Sequence, residues 1–192
     1  MATNLIRSFV AVDVFTPEII RAVRAIQQDL QSAGIIGKPV DLESLHITLI
    51  FLGELEPPLV EKVKESLSGI DVRPMRLVLK GVGYFPGGSR INTVWIGVED
   101  AEARLAATQR EVVSRLAGLG FRPDKEFKPH ITILRVKSVR NKSEVLAKIS
   151  ELSSQTIGEV VVDRVRLKKS TLTPQGPIYE DLQVYGPTAP SA

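Results

Sequence analysis

The chain has 192 residues, contains no cysteine, and has only ten aromatic side chains. Without cysteine, a disulfide, a thiolate nucleophile and a thiolate metal site are all excluded, so packing alone must hold the fold. The longest apolar run, residues 47–52, is interrupted by Thr48 and is too short to cross a bilayer. The residues up to Asp13 do not form an apolar stretch of the kind that secretory signals contain. We therefore expect a cytoplasmic protein that makes no membrane contact.

Charge of neither sign dominates the composition. With 43% hydrophobic and 24% charged residues, the chain is typical of a globular protein that can bury a core. The net charge of +3 and the pI near 9.2 favour an anionic partner. A generic duplex-binding protein usually shows a stronger basic bias. The mild excess better suits recognition of one or two phosphates at a defined site.

Histidine is scarce, and the two that occur lie in nearly identical contexts. His46 begins the string His-Ile-Thr-Leu, and His130 begins His-Ile-Thr-Ile. In a β-strand, alternate side chains share a face, so each histidine shares its face with Thr48 or Thr132. If the two strands face each other, two imidazoles and two hydroxyls converge. Such a cluster suits general acid–base chemistry on a phosphate.

Other predicted elements recur with the same offset of 84 positions that separates His46 from His130. Five elements at equal spacing predict two similar β-α-β-α-β units, about residues 7–85 and 91–169, related by a pseudo-twofold axis. The paired predictions are strands 7–14 and 91–98, helices 17–33 and 101–117, the two His strands (the first about 43–52), helices 57–69 and 141–153, and strands 76–85 and 160–169.

These units predict an α+β fold, with mainly antiparallel sheets lining a central cleft and helices outside. Thr16-Pro17 should begin the first helix, Asp100 should cap its repeat, and Pro86-Gly-Gly88 should form a turn. We expect one bilobal domain over residues 1–186. A closing strand is predicted at 178–185, and a disordered tail at 187–192.

The arrangement resembles the two-histidine (2H) phosphoesterases, and among them the RNA 2′,3′-cyclic phosphodiesterases historically called 2′-5′ RNA ligases. The resemblance covers nearly the whole chain and rests on five stretches. These are Arg7-Ser-Phe-Val-Ala-Val, His46-Ile-Thr-Leu-Ile-Phe-Leu-Gly53, Phe127-Lys-Pro-His-Ile-Thr-Ile-Leu-Arg135, Leu167-Lys-Lys-Ser-Thr-Leu172 and Gly176-Pro-Ile-Tyr-Glu-Asp-Leu182.

Opening a 2′,3′-cyclic phosphate requires one group that takes a proton from water and another that delivers a proton to the departing ribose oxygen. Histidine can do either near neutral pH, so two are needed in opposite protonation states. The residues alone assign the pair but not the order. The resemblance implies that His46 is the acid and His130 the base, that a 2′-phosphate remains, and that no cofactor is needed. Thr48 and Thr132 are placed to donate hydrogen bonds to the phosphate oxygens.

The two repeats differ where Phe51 corresponds to Arg135. The resemblance implies that Arg135 contacts the phosphate, and Phe51 is a candidate for base stacking. Strict alternation would turn both away from the histidines, so a bulge or the end of the strand must re-aim them. Ser170 and Tyr179 lie in the closing motif and are further candidates for substrate binding.

Several plainer interpretations compete with these. A single histidine in an apolar strand is most often a core residue, although its duplication argues against that. Arg164, Arg166 and Lys168 alternate, and they fit a solvated sheet face as well as a basic wall for RNA. Two histidines without clustered carboxylates cannot fill a metal's coordination shell, and only Asp41 and Glu43 lie nearby in sequence.

The expected substrate is RNA with a 2′,3′-cyclic phosphate end, including tRNA fragments, or a cyclic nucleotide, bound by a monomer. One alternative is a non-catalytic module that binds RNA ends. Another is 2′-5′ ligation as the physiological direction, since the same histidines serve both directions by microscopic reversibility.

Overall fold

The computed structural model describes residues 4–187. Most of the predicted tail, residues 188–192, lies outside this range. The strands are β1 (Ile6–Asp13), β2 (Ile35–Pro39), β3 (His46–Leu55), β4 (Met75–Gly87), β5 (Arg90–Glu99), β6 (His130–Val139), β7 (Thr156–Val162), β8 (Val165–Thr173) and β9 (Gly176–Tyr185). The helices are α1 (Pro17–Ser32), α2 (Pro57–Leu67), α3 (Arg104–Leu116) and α4 (Lys142–Glu151), with short 3₁₀ turns at Leu42–Ser44 and Ala117–Leu119.

All nine strands join one antiparallel sheet. Their order is β7-β4-β5-β6-β3-β1-β8-β9, and β2 pairs with β6 beside this row. The predicted α+β class with mainly antiparallel pairing is confirmed. We call β7, β4, β5, β6 and β2 the His130 half, and β3, β1, β8 and β9 the His46 half. Within the described residues, one bridge between β3 and β6, from Ile47 to Ile131, joins the two halves.

The two halves are not the two sequence repeats. Strand β4 belongs to the first repeat but pairs with β5 of the second, and β8 of the second repeat pairs with β1 of the first. The first repeat therefore places β4 in the His130 half, beside β5. The second repeat places β8 in the His46 half, beside β1. The closing strand β9 pairs with β8 and forms the outer edge of the His46 half.

The prediction of one strand over 160–169 is wrong. The segment forms β7 and β8, separated at Asp163-Arg164, because β7 pairs with β4 at one edge of the sheet while β8 pairs with β1 in the other half.

The predicted turn at 86–88 is also misplaced by about two residues, since β4 continues to Gly87 and the turn lies at Gly88-Ser89. Strand β2 was not predicted, because five residues that include glycine and proline carry little strand signal.

The ends of the helices follow local chemistry. Thr16 Oγ1 accepts a hydrogen bond from the Ile19 backbone N–H at 3.2 Å, and Pro17 occupies the first turn of α1. Helix α3 starts at residue 104, three residues later than predicted. The Asp100 carboxylate still accepts hydrogen bonds from the backbone N–H groups of Arg104 and Ala106, both at 3.1 Å, so it satisfies the free donors from outside the helix.

The helices cover one face of the sheet and leave the other open at the centre. Helix α1 packs on β6 and β7, and α3 packs on β3. Ile47 and Ile131 are fully buried in this core. Because side chains alternate along a strand, the neighbouring His-Thr pairs project from the uncovered face. Within residues 4–187, no helix is both long and apolar enough to serve as a membrane span.

Strand β2 lies against β6 only because residue 37 has no side chain. A Cβ atom at Gly37 would lie 2.2 Å from the Arg135 carbonyl oxygen, which is backbone and cannot rotate away. At Gly118, by contrast, a Cβ atom would meet nothing within 4 Å.

Replacing Gly37 with alanine should therefore destabilise the protein by about 1–3 kcal/mol, as overpacking typically does. The matched change Gly118→Ala should be neutral or stabilising by up to about 1 kcal/mol. Denaturant unfolding of both variants checks this. Equal stability of the two variants would contradict the close approach of β2 to β6.

Candidate active site

The two His-Thr pairs lie on one face, on adjacent strands. Because Ile47 pairs with Ile131 in antiparallel register, His46 stands opposite Thr132 and Thr48 stands opposite His130. The two histidines are thus diagonal neighbours, for which a regular ladder gives a separation of about 7–8 Å. The four side chains are half-buried, whereas the isoleucines between them are fully buried on the other side.

The two imidazoles are held in the same way. The Nδ1–H of His46 donates to the Ser44 carbonyl at 2.7 Å, and that of His130 donates to the Lys128 carbonyl at 2.7 Å. A carbonyl can only accept, so Nδ1 carries a proton in both rings. Nε2 is consequently the atom of each histidine that can gain or lose a proton.

Aromatic rings flank each histidine. The His46 ring lies 5.1 Å from the Phe9 ring and 5.1 Å from Tyr179, measured between centroids. The His130 ring lies 5.2 Å from Phe85 and 6.2 Å from Trp95. These rings fix the imidazoles laterally and reduce their contact with water.

Register shifts interrupt both His strands just beyond the His-Thr pairs. Between β1 and β3, Ala11 pairs with Thr48 but Val10 pairs with Ile50, so Leu49 is an extra residue. The equivalent shift between β5 and β6 leaves Ile133 extra. Each bulge reverses the alternation that follows it.

The bulges bring Phe51 and Arg135 to the face of the histidines. Both side chains are exposed, Phe51 by 71%, and the Phe51 ring lies 6.1 Å from that of Phe9, which itself contacts His46. The strict alternation that would have turned both residues away is therefore absent. Phe51 follows the bulge in the His46 half and Arg135 follows the bulge in the His130 half.

Two glutamines that the sequence analysis did not identify hold these bulges. The side-chain amide N–H of Gln27 donates to the carbonyls of Val40 and Ile133, both at 2.9 Å, and Gln27 is buried. In the other half the amide of Gln109, also buried, donates to the Leu49 carbonyl at 3.5 Å. In the sequence, each of these glutamines occurs among the buried positions of its helix, α1 or α3, and such a polar residue indicates a buried hydrogen-bond partner.

Charged residues lie beside His46. Asp13 pairs with Arg166 and Lys168, each at 3.0 Å, and Asp181 also pairs with both. We call Asp13, Arg166, Lys168 and Asp181 the charge network. In the sheet Asp13 stands opposite His46, whereas the residue opposite His130 is Gly97.

The network corrects both interpretations of Arg164, Arg166 and Lys168, as a basic wall and as a solvated sheet face. Lys168 is buried, with 8% exposure, and both it and Arg166 are neutralised by carboxylates. Arg164 lies between β7 and β8 rather than on a strand, and it pairs with Asp163 at 3.6 Å.

Burial lowers the pKa of His46 below its ordinary value of about 6.5, since a buried imidazolium loses hydration. The hydrogen bond to the Ser44 carbonyl and the charge of Asp13 oppose this shift in the pKa. The cations Lys168 and Arg135 add to it, which also places Arg135 within electrostatic reach of His46.

The remaining candidates differ in their surroundings. Ser170 and Tyr179 stand opposite each other on β8 and β9, and Tyr179 contacts His46 as described. Asp41 accepts the backbone N–H of Glu43 and caps a 3₁₀ turn. Within residues 4–187, no three histidine, aspartate or glutamate side chains are grouped so that they could hold a metal ion.

Two half-sheets, each contributing a histidine and a threonine to one open face, form the arrangement of a phosphoesterase of the two-histidine class. The sequence profile of the family LigT like Phosphoesterase matches residues 12–95 and again residues 96–179. The chain therefore belongs to the LigT-like phosphoesterases, and the resemblance inferred from the motifs is confirmed. The two matches are offset by the same 84 positions as the histidines.

Relatives with assigned names are similar over nearly their whole length. A protein of Archaeoglobus fulgidus named RNA 2′,3′-cyclic phosphodiesterase is 43% identical, over 93% of this chain and 99% of its own. One of the same name from Methanothermobacter thermautotrophicus is 37% identical, over 94% and 98%. A third, from Thermotoga maritima, is 36% identical over 92% of each chain.

Solved structures share the fold. A crystal structure of a Thermus thermophilus protein aligns with a TM-score of 0.76 and 26% identity, over 94% of this chain and 97% of that one. E. coli LigT complexed with 3′-AMP aligns with a TM-score of 0.74 and 23% identity, over 97% and 100%.

The unequal lengths of the two glutamine hydrogen bonds lead to a prediction. Gln27→Leu removes two bonds of 2.9 Å, so the free energy of unfolding should fall by about 1–3 kcal/mol. Gln109→Leu removes one bond of 3.5 Å and should cost less than about 1 kcal/mol. Denaturant titration, followed by fluorescence of Trp95, the only tryptophan, measures both. A larger loss for Gln109→Leu would show that the bulges are held in another way.

Proposed function

We propose that this protein hydrolyses RNA 2′,3′-cyclic phosphate ends to 2′-phosphomonoesters by a metal-independent two-histidine mechanism. The observation that carries the proposal is the antiparallel register at Ile47 and Ile131, which sets His46, Thr48, His130 and Thr132 on one open face. The names of relatives that are similar over more than nine-tenths of their length support the substrate.

The proposed reaction breaks the bond between phosphorus and the ribose 3′ oxygen. His130 Nε2 takes a proton from water, and the water oxygen forms a new bond to phosphorus on the side opposite the leaving group. His46 Nε2 delivers its proton to the departing 3′ oxygen. A 2′-phosphate and a free 3′ hydroxyl result, and the two histidines have exchanged protonation states.

The carboxylate of Asp13 supports His46 rather than His130 as the acid. The acid must enter the reaction as an imidazolium, and the nearby carboxylate of Asp13 stabilises that cation, whereas Gly97 offers His130 no such partner. Burial, followed by the charges of Lys168 and Arg135, acts in the opposite direction on the pKa of His46. A bound phosphate diester adds a negative charge beside the ring and restores the protonated form.

The other candidates take supporting roles. Thr48 and Thr132 donate hydrogen bonds to the non-bridging phosphate oxygens, and Arg135 neutralises the charge that develops there. Phe51, the most exposed large hydrophobic side chain of the described residues, stacks on the terminal base. Ser170 and Tyr179 line the face beside His46.

We further propose that the protein acts in the cytoplasm as a monomer, on cyclic ends such as those of tRNA fragments. Because each half of the described sheet supplies one histidine, a single chain holds both proposed catalytic groups. The alternative is a protein that binds RNA ends without turnover, and an assay of hydrolysis distinguishes it from the enzyme.

Either His46→Ala or His130→Ala should lower turnover by at least about 10²–10⁴-fold, the usual contribution of a positioned acid or base. Both variants should stay folded, because the rings project from the open face and not into the core. The assay follows release of a 2′-monophosphate from a 2′,3′-cyclic nucleotide or oligonucleotide in EDTA. Complete dependence on a divalent metal ion would overturn the mechanism, and unfolding of either variant would favour a structural role.

The assignment of acid and base predicts a pH effect. Asp13→Asn removes a carboxylate that raises the pKa of His46, so this pKa should fall further. An acid must be protonated, so the alkaline limb of kcat/KM should move to lower pH, by about one unit or less.

The control for this experiment is Asp163→Asn, which removes a carboxylate that pairs with Arg164 and lies outside the charge network. Its pH profile should match that of the unchanged protein. Movement of the acidic limb in Asp13→Asn, with a fixed alkaline limb, would instead make His46 the base.

A further inference from the structure

A polar groove leads away from the face of the histidines. Its walls are α1, the segment from β2 through the 3₁₀ turn, and the tip of the β8–β9 hairpin, and its volume is about 1030 Å³. Its lining includes Arg24, Gln28, Gln31, Lys38, Gln175 and Ile178.

The groove is continuous with the proposed catalytic site. Arg135 and Tyr179 line it, as does Ser44, whose carbonyl holds the His46 ring. Tyr179 also lies 5.1 Å from that ring. A molecule whose phosphate sits between the two histidines can therefore extend into the groove without a break.

The hairpin wall is anchored to the rest of the protein. The Lys38 ammonium donates to the carbonyl of Pro174 at the hairpin tip, which ties β2 of the His130 half to β8 and β9 of the His46 half. The groove is thus bounded by both halves of the sheet.

The lining chemistry suits a nucleotide. Arg24, Lys38 and Arg135 supply three cations against the two carboxylates of Asp41 and Glu43. A guanidinium can bind a phosphodiester in a bidentate manner. The amides of Gln28, Gln31 and Gln175 are on exposed residues and both donate and accept, as the edges of bases require.

An apolar surface accompanies these polar groups. Ile178 lines the groove and is 57% exposed. An exposed aliphatic side chain beside amides and cations gives the flat face of a base or a ribose something to pack on. The volume also lies at the upper end of the roughly 300–1,000 Å³ typical of sites for one small ligand, so the groove has room for more than a terminal nucleoside.

We propose that this groove binds the nucleotide that precedes the cyclic end, so that the protein prefers oligonucleotides to cyclic mononucleotides. The inference rests on the proposed function for the position of the terminal phosphate. The guanidinium of Arg24 contacts the phosphodiester, and Gln28, one helical turn along α1, contacts the base.

The test compares two substrates and two variants. The substrates are 2′,3′-cyclic CMP and a trinucleotide ending in a 2′,3′-cyclic phosphate. The groove variant is Arg24→Gln with Gln28→Ala. The matched control is Arg21→Gln, which changes an exposed arginine on the same helix that pairs with Glu18 and does not line the groove.

The unchanged protein should show a higher kcat/KM for the trinucleotide than for the mononucleotide. In the groove variant this ratio should fall about tenfold, the effect of losing one charge-assisted hydrogen bond. The dependence of trinucleotide binding on salt should also weaken, with a log–log slope smaller by about 0.7 for the lost cation. The Arg21→Gln control should retain both the ratio and the slope.

A binding measurement separates this inference from the proposed function. The anisotropy of a 5′-labelled trinucleotide with a 2′-phosphate end reports occupancy of the groove without turnover. Suppose that neither substrate is hydrolysed but that the groove variant alone binds the labelled product about tenfold more weakly. The proposed function is then wrong, whereas binding of the preceding nucleotide in the groove is supported. Equal kcat/KM for the two substrates would contradict the proposed role of the groove. Equal weakening of binding in the groove variant and in Arg21→Gln would contradict it as well.

Discussion

The contact on which the rest of the molecule depends is the bridge between Ile47 and Ile131. It is the only pairing of β3 with β6 within the described residues, and it joins the two halves of the sheet. Burial of both isoleucines on the helix side forces the residues before and after them to the other side. One hydrophobic contact thereby sets the relative position of two histidines that are 84 residues apart in the chain.

The two halves hold their histidines in the same way but surround them with different residues, and the proposed chemistry depends on that difference. Both imidazoles donate from Nδ1 to the carbonyl two residues earlier, and both His strands bulge beyond the threonine. The surroundings then diverge, with Asp13 opposite one histidine and Gly97 opposite the other. The proposed division of the two histidines into an acid and a base draws on this difference in their surroundings.

Much of this was accessible from the sequence. The offset between the His-x-Thr strings, the cap at Thr16 and the apolar stripes of the helices are local signals, and the structure follows them closely. Asp100 binds backbone N–H groups of the first turn of α3, although the helix begins at residue 104 and not at 101. The exchange of β4 and β8 between halves was not accessible, because strand pairing depends on contacts far apart in the chain. The split of residues 160–169 into β7 and β8 follows from that exchange.

The bulges show the same limit at the level of single residues. Alternation from His130 argues against Arg135, and only the extra residue Ile133 brings the arginine to the face of the histidines. Gln27 and Gln109 support the bulges from helices that are distant in sequence. A glutamine among buried helix positions indicates a buried hydrogen-bond partner. Which residue that partner is depends on the tertiary structure.

The crossed placement of β4 and β8 has a consequence for the integrity of the chain. A cut between β4 and β5 yields two pieces, and neither contains all the strands of one half of the sheet. Either piece alone would expose unpaired strand edges and could satisfy them only by annealing with its counterpart or with another copy of itself. The molecule is therefore a single interlocked unit rather than two modules in tandem.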